Sequence, residues 1–248
     1  MGLHGMGPEA MHPGAAHGPA RPAFGGVRFG DRLARGILVA PSILSADFAR
    51  LADDARASLA AGGDLLHVDV MDGHFVPNLS MGPAVCGSLH RAMPDACLDV
   101  HLMVTDPAAY IEPFAKAGAA HVTFHIEAVP DPLPLVDRIH ALGMSAGLAI
   151  NPDTPAEAIA PFLDRIELAL VMSVHPGFSG QKFIAQVLPK TRALRDAGPA
   201  GLRVQMDGGV APDSAPSCRA HGCDVIVAAS AIYGRPDYAT AIAALRAG

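Results

Sequence analysis

Residues 66–73 read Leu-His-Val-Asp-Val-Met-Asp-Gly, and polar and apolar side chains alternate along the first part of this stretch. Successive side chains of a β-strand point to opposite faces, so His67, Asp69 and Met71 share one face and two valines share the other. In a barrel of parallel strands the outer face packs against helices and is apolar. The stretch therefore predicts a strand whose polar face lines the interior of a barrel.

Seven more short apolar segments lie along the chain, and amphipathic segments typical of helices separate them. The predicted strands are Ile37–Pro41, Asp64–Met71, Cys97–Met103, His121–His125, Met144–Ile150, Leu168–Ser173, Leu202–Asp207 and Val225–Ala228. The predicted helices are Asp47–Ala61, Pro83–Met93, Pro107–Ala117, Pro132–Leu142, Pro155–Phe162, Gln181–Ala197, Pro212–Ala220 and Pro236–Ala247. This alternation indicates an α/β protein with a single (β/α)8 TIM barrel. An open doubly wound sheet is the alternative, although no G-x-G-x-x-G motif follows the first strand.

The N-terminal segment 1–36 differs in composition from the rest of the chain. It holds nine Gly and four Pro residues, so 13 of its 36 positions disfavour helix and strand. A Gly and Pro content above roughly 25–30% marks unstructured sequence. We therefore expect a disordered extension over 1–36 and one catalytic barrel domain over 37–248.

Charge and composition argue against several classes of function. The formal net charge is −6, whereas nucleic-acid-binding proteins usually carry a basic surface. No apolar run reaches the roughly 18 residues of a membrane-spanning helix. The four cysteines form no C-x-x-C pair, which is typical of a protein from a reducing compartment. We expect a cytoplasmic protein with no nucleic-acid or membrane partner.

Two further predicted strands carry polar residues that would face the barrel interior. His101 lies near the end of the third strand and Asp207 ends the seventh. With His67 and Asp69 they would converge at the carboxyl ends of the strands, where barrel enzymes have their active sites. Two imidazoles and two carboxylates suit one divalent metal, namely Zn, Fe(II), Mn(II) or Co(II). The alternative for a single strand is a hydrogen-bonded His–Asp pair.

Loops follow the last three predicted strands, at His175–Gln181, Asp207–Val210 and Ala228–Ile232, and the first two of these loops contain glycine. Barrels often bind phosphate through backbone N–H groups after strands seven and eight, and glycine lets the backbone approach closely. The chain has only three lysines, which suits an anion site built from N–H dipoles. A tight turn is the alternative for any one glycine pair.

Three methionines, Met71, Met103 and Met172, fall near strand ends with inward parity. Methionine is also a common core residue, so spacing alone leaves both roles open. His74, His125 and His175 are candidate substrate contacts. The alternative for each is an exposed or hydrogen-bonded histidine with no role in function.

Six sequence motifs, taken in order along the chain, resemble those of a known family. They are APSILSADFARL from Ala40, LHVDVMDGHFVPN from Leu66, DVHLMV from Asp99, GLAINPDTP from Gly147, VMSVHPGFSGQKF from Val171 and MDGGV from Met206. With them, residues 37–248 resemble the ribulose-phosphate 3-epimerases. The resemblance implies a (β/α)8 barrel that interconverts D-ribulose 5-phosphate and D-xylulose 5-phosphate, in the pentose phosphate pathway or the Calvin cycle. We expect a cis-enediolate intermediate and a homo-oligomer.

The resemblance also implies roles for individual residues. It implies a divalent metal held by His67, Asp69, His101 and Asp207, with Asp69 and Asp207 as the acid/base pair. The expected substrate-binding residues are Ser42, Met71, His101, Met103, Met172, Gly177, Phe178, Ser179, Gly180, Gly208, Gly209, Ala229 and Ser230.

The sequence departs from the family pattern at four positions. Ser179 stands where the family usually has Gly or Ala, and Ala229 stands where a Gly usually precedes the serine of the last loop. Gln205 and Met206 replace a common Glu-Val pair. The first two changes touch the predicted phosphate loops, so they leave open a 3-epimerase of a six-carbon ketose 6-phosphate, of the allulose 6-phosphate type.

Two other functions remain as alternatives. Phosphate-sugar lyases of the orotidine-decarboxylase type resemble this barrel but carry D-x-K-x-x-D in the equivalent strand, where this chain has Val70 in place of the lysine. A catalytically inactive metal-binding or sugar-phosphate-binding protein is the second. The complete set of four metal-ligand candidates argues against it.

Overall fold

The computed structural model describes residues 36–247 and contains eight parallel strands. They are β1 (Leu38–Pro41), β2 (Leu66–Met71), β3 (Leu98–Met103), β4 (His121–His125), β5 (Ser145–Ile150), β6 (Leu168–Met172), β7 (Arg203–Asp207) and β8 (Val225–Ala228). The strands follow the chain around the sheet, and β1 pairs with β8. A single bridge between Ser42 and His67 connects β1 with β2. The sheet is thus a nearly closed barrel, which confirms the predicted fold class. The predicted disordered extension lies outside the described residues, apart from Gly36.

Helices lie between the strands, on the outside of the barrel. They are α1 (Leu51–Ala60), α2 (Pro83–Ala92), α3 (Ile111–Lys116), α4 (Leu133–Ala141), α5 (Leu188–Ala197), α6 (Ala215–Ala220), α7 (Ser230–Tyr233) and α8 (Tyr238–Arg246). The helix predicted over Pro155–Phe162 is wrong, because two short 3-10 turns at Ala156–Ala158 and Ala160–Phe162 take its place. Pro161 explains the difference: it has no N–H to donate, and its ring would clash with the carbonyl of Glu157 in an α-helix.

Several predicted helices begin later than expected. Those predicted from Pro107, Pro212 and Pro236 begin at Ile111, Ala215 and Tyr238. The segment predicted from Asp47 opens with a 3-10 turn at Phe48–Arg50, and Asp47 caps that turn by accepting a hydrogen bond from the Ala49 N–H. The helix predicted from Gln181 begins only at Leu188, after a 3-10 turn. Pro189 requires this late start, since its ring would meet the Ala185 carbonyl in a continuous helix. Residues 181–184 are thereby left free to form a loop at the top of the barrel.

Two apolar clusters make up most of the core, and a small third cluster contains Met71, Val76 and Met103. Outward-facing strand residues, among them Val68 and Val100, pack with the helices into one large core. Inside the barrel, residues of β1, β6 and β8, such as Leu170 and Val227, form a second cluster. The interior beside β2, β3, β4 and β7 is polar instead, and its fully buried side chains include His67, Asp99, His101, His121, Thr123 and Gln205. The predicted polar inner face of β2 is therefore confirmed.

Candidate active site

Strand register brings four potential metal ligands together at the carboxyl end of the barrel. Asp69 on β2 lies beside His101 on β3, and Asp207 ends β7. One ligand atom from each of His67, Asp69, His101 and Asp207 lies within 4.8 Å of every other. The Asp69 Oδ1 atom is 3.2 Å from both His67 Nε2 and His101 Nδ1. The Asp207 Oδ2 atom is 3.7 Å from His67 Nε2 and 3.5 Å from His101 Nδ1.

The surroundings of His67 suit a metal ion. Asp99 Oδ2 lies 2.8 Å from His67 Nδ1 and also accepts a hydrogen bond from the Gln205 amide at 2.8 Å. The carboxylate therefore fixes a proton on Nδ1, so Nε2 is the nitrogen that can present a lone pair to a metal ion. His67 Nε2 is buried and has no hydrogen-bond partner among the described residues, although it faces two carboxylates. A divalent cation would satisfy this nitrogen and neutralise the two acids.

Electrostatics keep Asp69 ionised in this buried position. Burial alone would raise the pKa of Asp69, but the attraction of His67 and a hydrogen bond from His101 lower it overall. For His67, burial acts to lower the pKa, and the charges of Asp69 and Asp99 outweigh it and raise the pKa. A charged carboxylate is the form that can bind a cation or accept a proton.

Ser42 fixes the second oxygen of Asp69. Its hydroxyl donates a hydrogen bond to Asp69 Oδ2 at 2.5 Å, and both side chains are buried. Asp69 Oδ1 thus faces the two histidines while Oδ2 faces Ser42. The bridge that pairs Ser42 with His67 brings this hydroxyl within reach of Asp69.

A cavity of about 240 Å³ opens above this cluster. Fourteen of the predicted site residues line it: Ser42, Asp69, Met71, Met103, Met172, Gly177, Phe178, Ser179, Gly180, Asp207, Gly208, Gly209, Ala229 and Ser230. His67 and His101 are not in its lining and lie fully buried beside it. Leu44, Val174 and Arg235 also line the cavity, and the sequence analysis gave them no role. Gln181, the last residue of the first predicted phosphate loop, lines it as well.

The three methionines form an apolar part of the cavity wall. Met71, Met103 and Met172 are each less than 5% exposed and all line the cavity. Phe178, by contrast, is 56% exposed at the cavity mouth. The deep part of the cavity is therefore shielded from water, and the outer part is open.

The outer part of the cavity depends on two glycines after β7. Gly208 and Gly209 have φ of +117° and +64°, a region that favours glycine. A Cβ on Gly209 would lie 2.5 Å from the Gln181 carbonyl oxygen. Gln181 in turn donates side-chain hydrogen bonds to the carbonyls of His175 and Phe178, which fixes the loop after β6. The loops after β6 and β7 therefore pack directly on each other.

The three other candidate histidines do not line the cavity. His74 and His175 are exposed. His125 is fully buried behind His101, and its Nε2 lies 2.9 Å from His101 Nε2. Burial lowers the pKa of His125 to about 4, so this ring is neutral at physiological pH.

Glu127, whose Oε2 lies 3.1 Å from His125 Nδ1, was not predicted from the sequence. Its spacing of two from His125 at the end of β4 was the available signal.

Comparison with known proteins agrees with these features. A sequence model of the ribulose-phosphate 3 epimerase family matches residues 38–233. The ribulose-phosphate 3-epimerase of Mycobacterium tuberculosis is 50% identical over 214 residues, which cover 85% of this chain and 92% of that protein. The cytoplasmic isoform of the same enzyme from Oryza sativa is 47% identical over 212 residues, or 84% of this chain and 92% of the relative.

Similarity to solved structures extends to more distant barrels. The crystal structure of 3-keto-L-gulonate-6-phosphate decarboxylase from Vibrio cholerae superposes with a TM-score of 0.65 at 17% identity, covering 86% of this chain and 96% of that one. At this identity the likeness concerns the fold alone. Within residues 36–247, no helix has the length and apolar character needed to cross a membrane.

Proposed function

The chain belongs to the ribulose-phosphate 3-epimerase family and is an enzyme, an isomerase that acts on carbohydrates; on that premise we propose a metal-dependent, two-base epimerisation at C3 of D-ribulose 5-phosphate to give D-xylulose 5-phosphate. The observation that carries the proposal is the buried cluster of two histidines and two aspartates at the floor of the cavity.

His67, Asp69, His101 and Asp207 would hold one divalent ion, either Zn, Fe(II), Mn(II) or Co(II). Their two nitrogen and two oxygen donors fit these metals, and the unpartnered His67 Nε2 is aimed into the cluster. A bound cation stabilises the negative charge that develops on the substrate oxygens when a proton leaves the neighbouring carbon.

Asp69 and Asp207 would move the proton. Epimerisation removes the proton of C3 from one face of the substrate and returns a proton to the other face, through a cis-enediolate. Asp69 comes from β2 and Asp207 from β7, so the two carboxylates reach the cluster from different sides of the barrel. One acts as base while the other acts as acid, and they exchange roles in the reverse reaction. The Ser42 hydroxyl holds Asp69 in orientation through its hydrogen bond.

The remaining lining residues would bind and shield the substrate. We assign the phosphate to the rim formed by residues 177–180, Gly208, Gly209, Ala229 and Ser230. Backbone N–H groups of this rim and of the start of α7 would donate hydrogen bonds to it. Met71, Met103 and Met172 would cover the reacting carbons and exclude water, which limits loss of the transferred proton.

A six-carbon ketose 6-phosphate is the second candidate substrate, because Ser179 and Ala229 alter the rim. The lyase alternative lacks support because no lysine lies on β2 and none among the described residues lines the cavity. We further propose a cytoplasmic homo-oligomer that serves the pentose phosphate pathway or the Calvin cycle. One relative is itself named a cytoplasmic isoform.

The deciding experiment compares turnover of D-ribulose 5-phosphate and D-allulose 6-phosphate by the metal-loaded enzyme. We expect a higher kcat/KM for the five-carbon substrate. A preference for the six-carbon substrate would reassign the enzyme, and turnover of neither would refute the proposed reaction.

A further inference from the structure

A chain of three side chains runs outward from one of the metal-ligand candidates. His101 Nε2 is 2.9 Å from His125 Nε2, and His125 Nδ1 is 3.1 Å from Glu127 Oε2. Both histidines are fully buried, and their rings are stacked with centroids 5.1 Å apart. Phe75 packs on the His125 ring at a centroid distance of 4.8 Å. The two rings therefore have little freedom to rotate.

The far end of this chain is anchored to the loop after β5. Glu127 Oε1 accepts hydrogen bonds from the Asn151 N–H at 2.8 Å and from the Thr154 hydroxyl. Burial acts to raise the pKa of Glu127, but the hydrogen bonds from His125, Thr154 and Asn151 lower it to about 2. Glu127 is thus a fixed carboxylate with one oxygen available to His125.

The ionised Glu127 carboxylate determines which nitrogen donates and which accepts in the hydrogen bonds that connect it with His125 and His101. An ionised carboxylate only accepts hydrogen bonds, so His125 Nδ1 must carry a proton and donate a hydrogen bond to Glu127. In a neutral ring the other nitrogen, Nε2, is then an acceptor. His101 Nε2 must therefore carry a proton and donate to it. A metal ion would replace the Nδ1 proton that His101 shares with Asp69, so in the metal-bound protein the lone pair of His101 would lie on Nδ1, the nitrogen that is 3.2 Å from Asp69 and 3.5 Å from Asp207.

We propose that Glu127 is a positioning residue of the active site, which acts through His125 to fix the tautomer and ring orientation of His101 so that Nδ1 binds the metal. The proposal rests on the proposed metal-dependent function. It gives the two metal histidines different supports: His67 is held by the carboxylate of Asp99 directly, and His101 is held by a carboxylate one imidazole further away. Removing such an outer partner typically lowers metal affinity by roughly 10–100-fold.

The tautomers can be measured without any substitution of Glu127. The zinc-loaded protein with 15N-labelled histidine would be examined by two-bond 1H–15N NMR, with His101→Gln and His125→Gln proteins to assign the signals. We expect a proton on His101 Nε2, none on His101 Nδ1, and a proton on His125 Nδ1. A proton on His101 Nδ1 with Nε2 unprotonated would overturn the proposal.

Metal affinity supplies the second test. Apo protein would be titrated with Zn(II) or Co(II) alone against a chromophoric chelator. Glu127→Leu and His125→Leu should each weaken binding by roughly 10–100-fold. Glu127→Gln keeps a carbonyl that can accept from His125, so its affinity should stay within about threefold of wild type. An affinity of Glu127→Leu protein within threefold of wild type would overturn the proposal.

Thr154→Val is the matched control for a merely structural role of Glu127. It removes the hydrogen bond that the Thr154 hydroxyl donates to Oε1 of Glu127 and leaves the contact of Oε2 with His125 in place. Its metal affinity should therefore match wild type. If Thr154→Val weakens binding as much as Glu127→Leu, Glu127 anchors the loop and does not position His101.

Failure of this inference can be told apart from failure of the proposed function. An enzyme that epimerises with metal but shows the opposite His101 tautomer refutes only the positioning role. A protein that binds zinc with the expected tautomers and effects of substitution, yet does not epimerise, refutes the reaction and supports the role of Glu127 in metal binding.

Discussion

The floor and the rim of the cavity are built in different ways. The floor consists of side chains on strands, and the side chains of its four metal-ligand candidates are at most 13% exposed. The rim consists mainly of loop backbone after β6, β7 and β8, and Phe178 there is 56% exposed. Function at the floor therefore depends on the identity of each side chain, whereas function at the rim depends on backbone conformation. Substitutions in the two regions should fail in different ways.

Removal of the metal tests the floor as a whole and should give the largest effect. Treatment with a strong chelator should lower turnover by roughly 10³-fold or more, since several kcal/mol of charge stabilisation are lost. The fold should persist because the large core does not contain the site. A melting temperature lower by about 5–10 °C is expected from the loss of a ligand held at 100 times its Kd. Turnover should return with Zn, Fe(II), Mn(II) or Co(II). Full turnover in metal-free protein would refute the site.

The two aspartates should each be essential but should fail differently. Asp69→Asn and Asp207→Asn should each lower kcat by about 10²–10⁴-fold, because each removes one acid/base group. With saturating metal, a protein that keeps one base can still exchange the C3 proton of one epimer with deuterium from solvent. We expect the two variants to exchange opposite epimers, as measured by NMR in D2O. The two-base assignment would be contradicted if both variants exchanged the C3 proton of the same epimer, or if neither variant exchanged it.

Gly209→Ala tests the backbone of the rim. The added Cβ would lie 2.5 Å from the Gln181 carbonyl oxygen, on a residue with φ of +64°. Strain of this kind costs about 1–3 kcal/mol, and a shift of the loop should raise KM for the sugar phosphate by about tenfold. Gly201→Ala is a suitable control, because nothing lies within 4 Å of its added Cβ. Steady-state kinetics would show the effect in KM. A tenfold fall in kcat at constant KM would contradict the view that the rim binds substrate and the floor carries out the reaction.

The difference between floor and rim also explains what the sequence could predict. Alternation along β2 and β3 placed His67, Asp69 and His101 on inner faces, since side-chain direction in a strand is a local property. The tight packing of Gly209 on Gln181 joins residues from two loops, and no local pattern contains it. The hydrogen bond from Ser42 to Asp69 likewise joins residues 27 positions apart, one just after β1 and one on β2.

The errors in the predicted helices arose because prolines within them were given too little weight. Apolar periodicity extended the predicted helices across Pro161 and Pro189, although a proline inside a helix removes a hydrogen bond and clashes with the preceding turn. Glu127 was missed for a different reason, since no local signal revealed its role. Its sequence position next to β4 was visible, but its importance depends on His101 of the neighbouring strand and on a loop beyond β5.

Ser179→Ala should give the smallest effect and tests whether rim side chains matter at all. Ser179 is exposed and lines the cavity, and alanine keeps the same backbone N–H at that position. Exposed substitutions of this kind usually change free energies by about 0.5 kcal/mol or less, so KM for D-ribulose 5-phosphate should change by no more than about twofold. If the hydroxyl instead selects substrate length, the ratio of kcat/KM for five- and six-carbon substrates will shift by tenfold or more. That result would show that the rim, like the floor, works through side-chain identity.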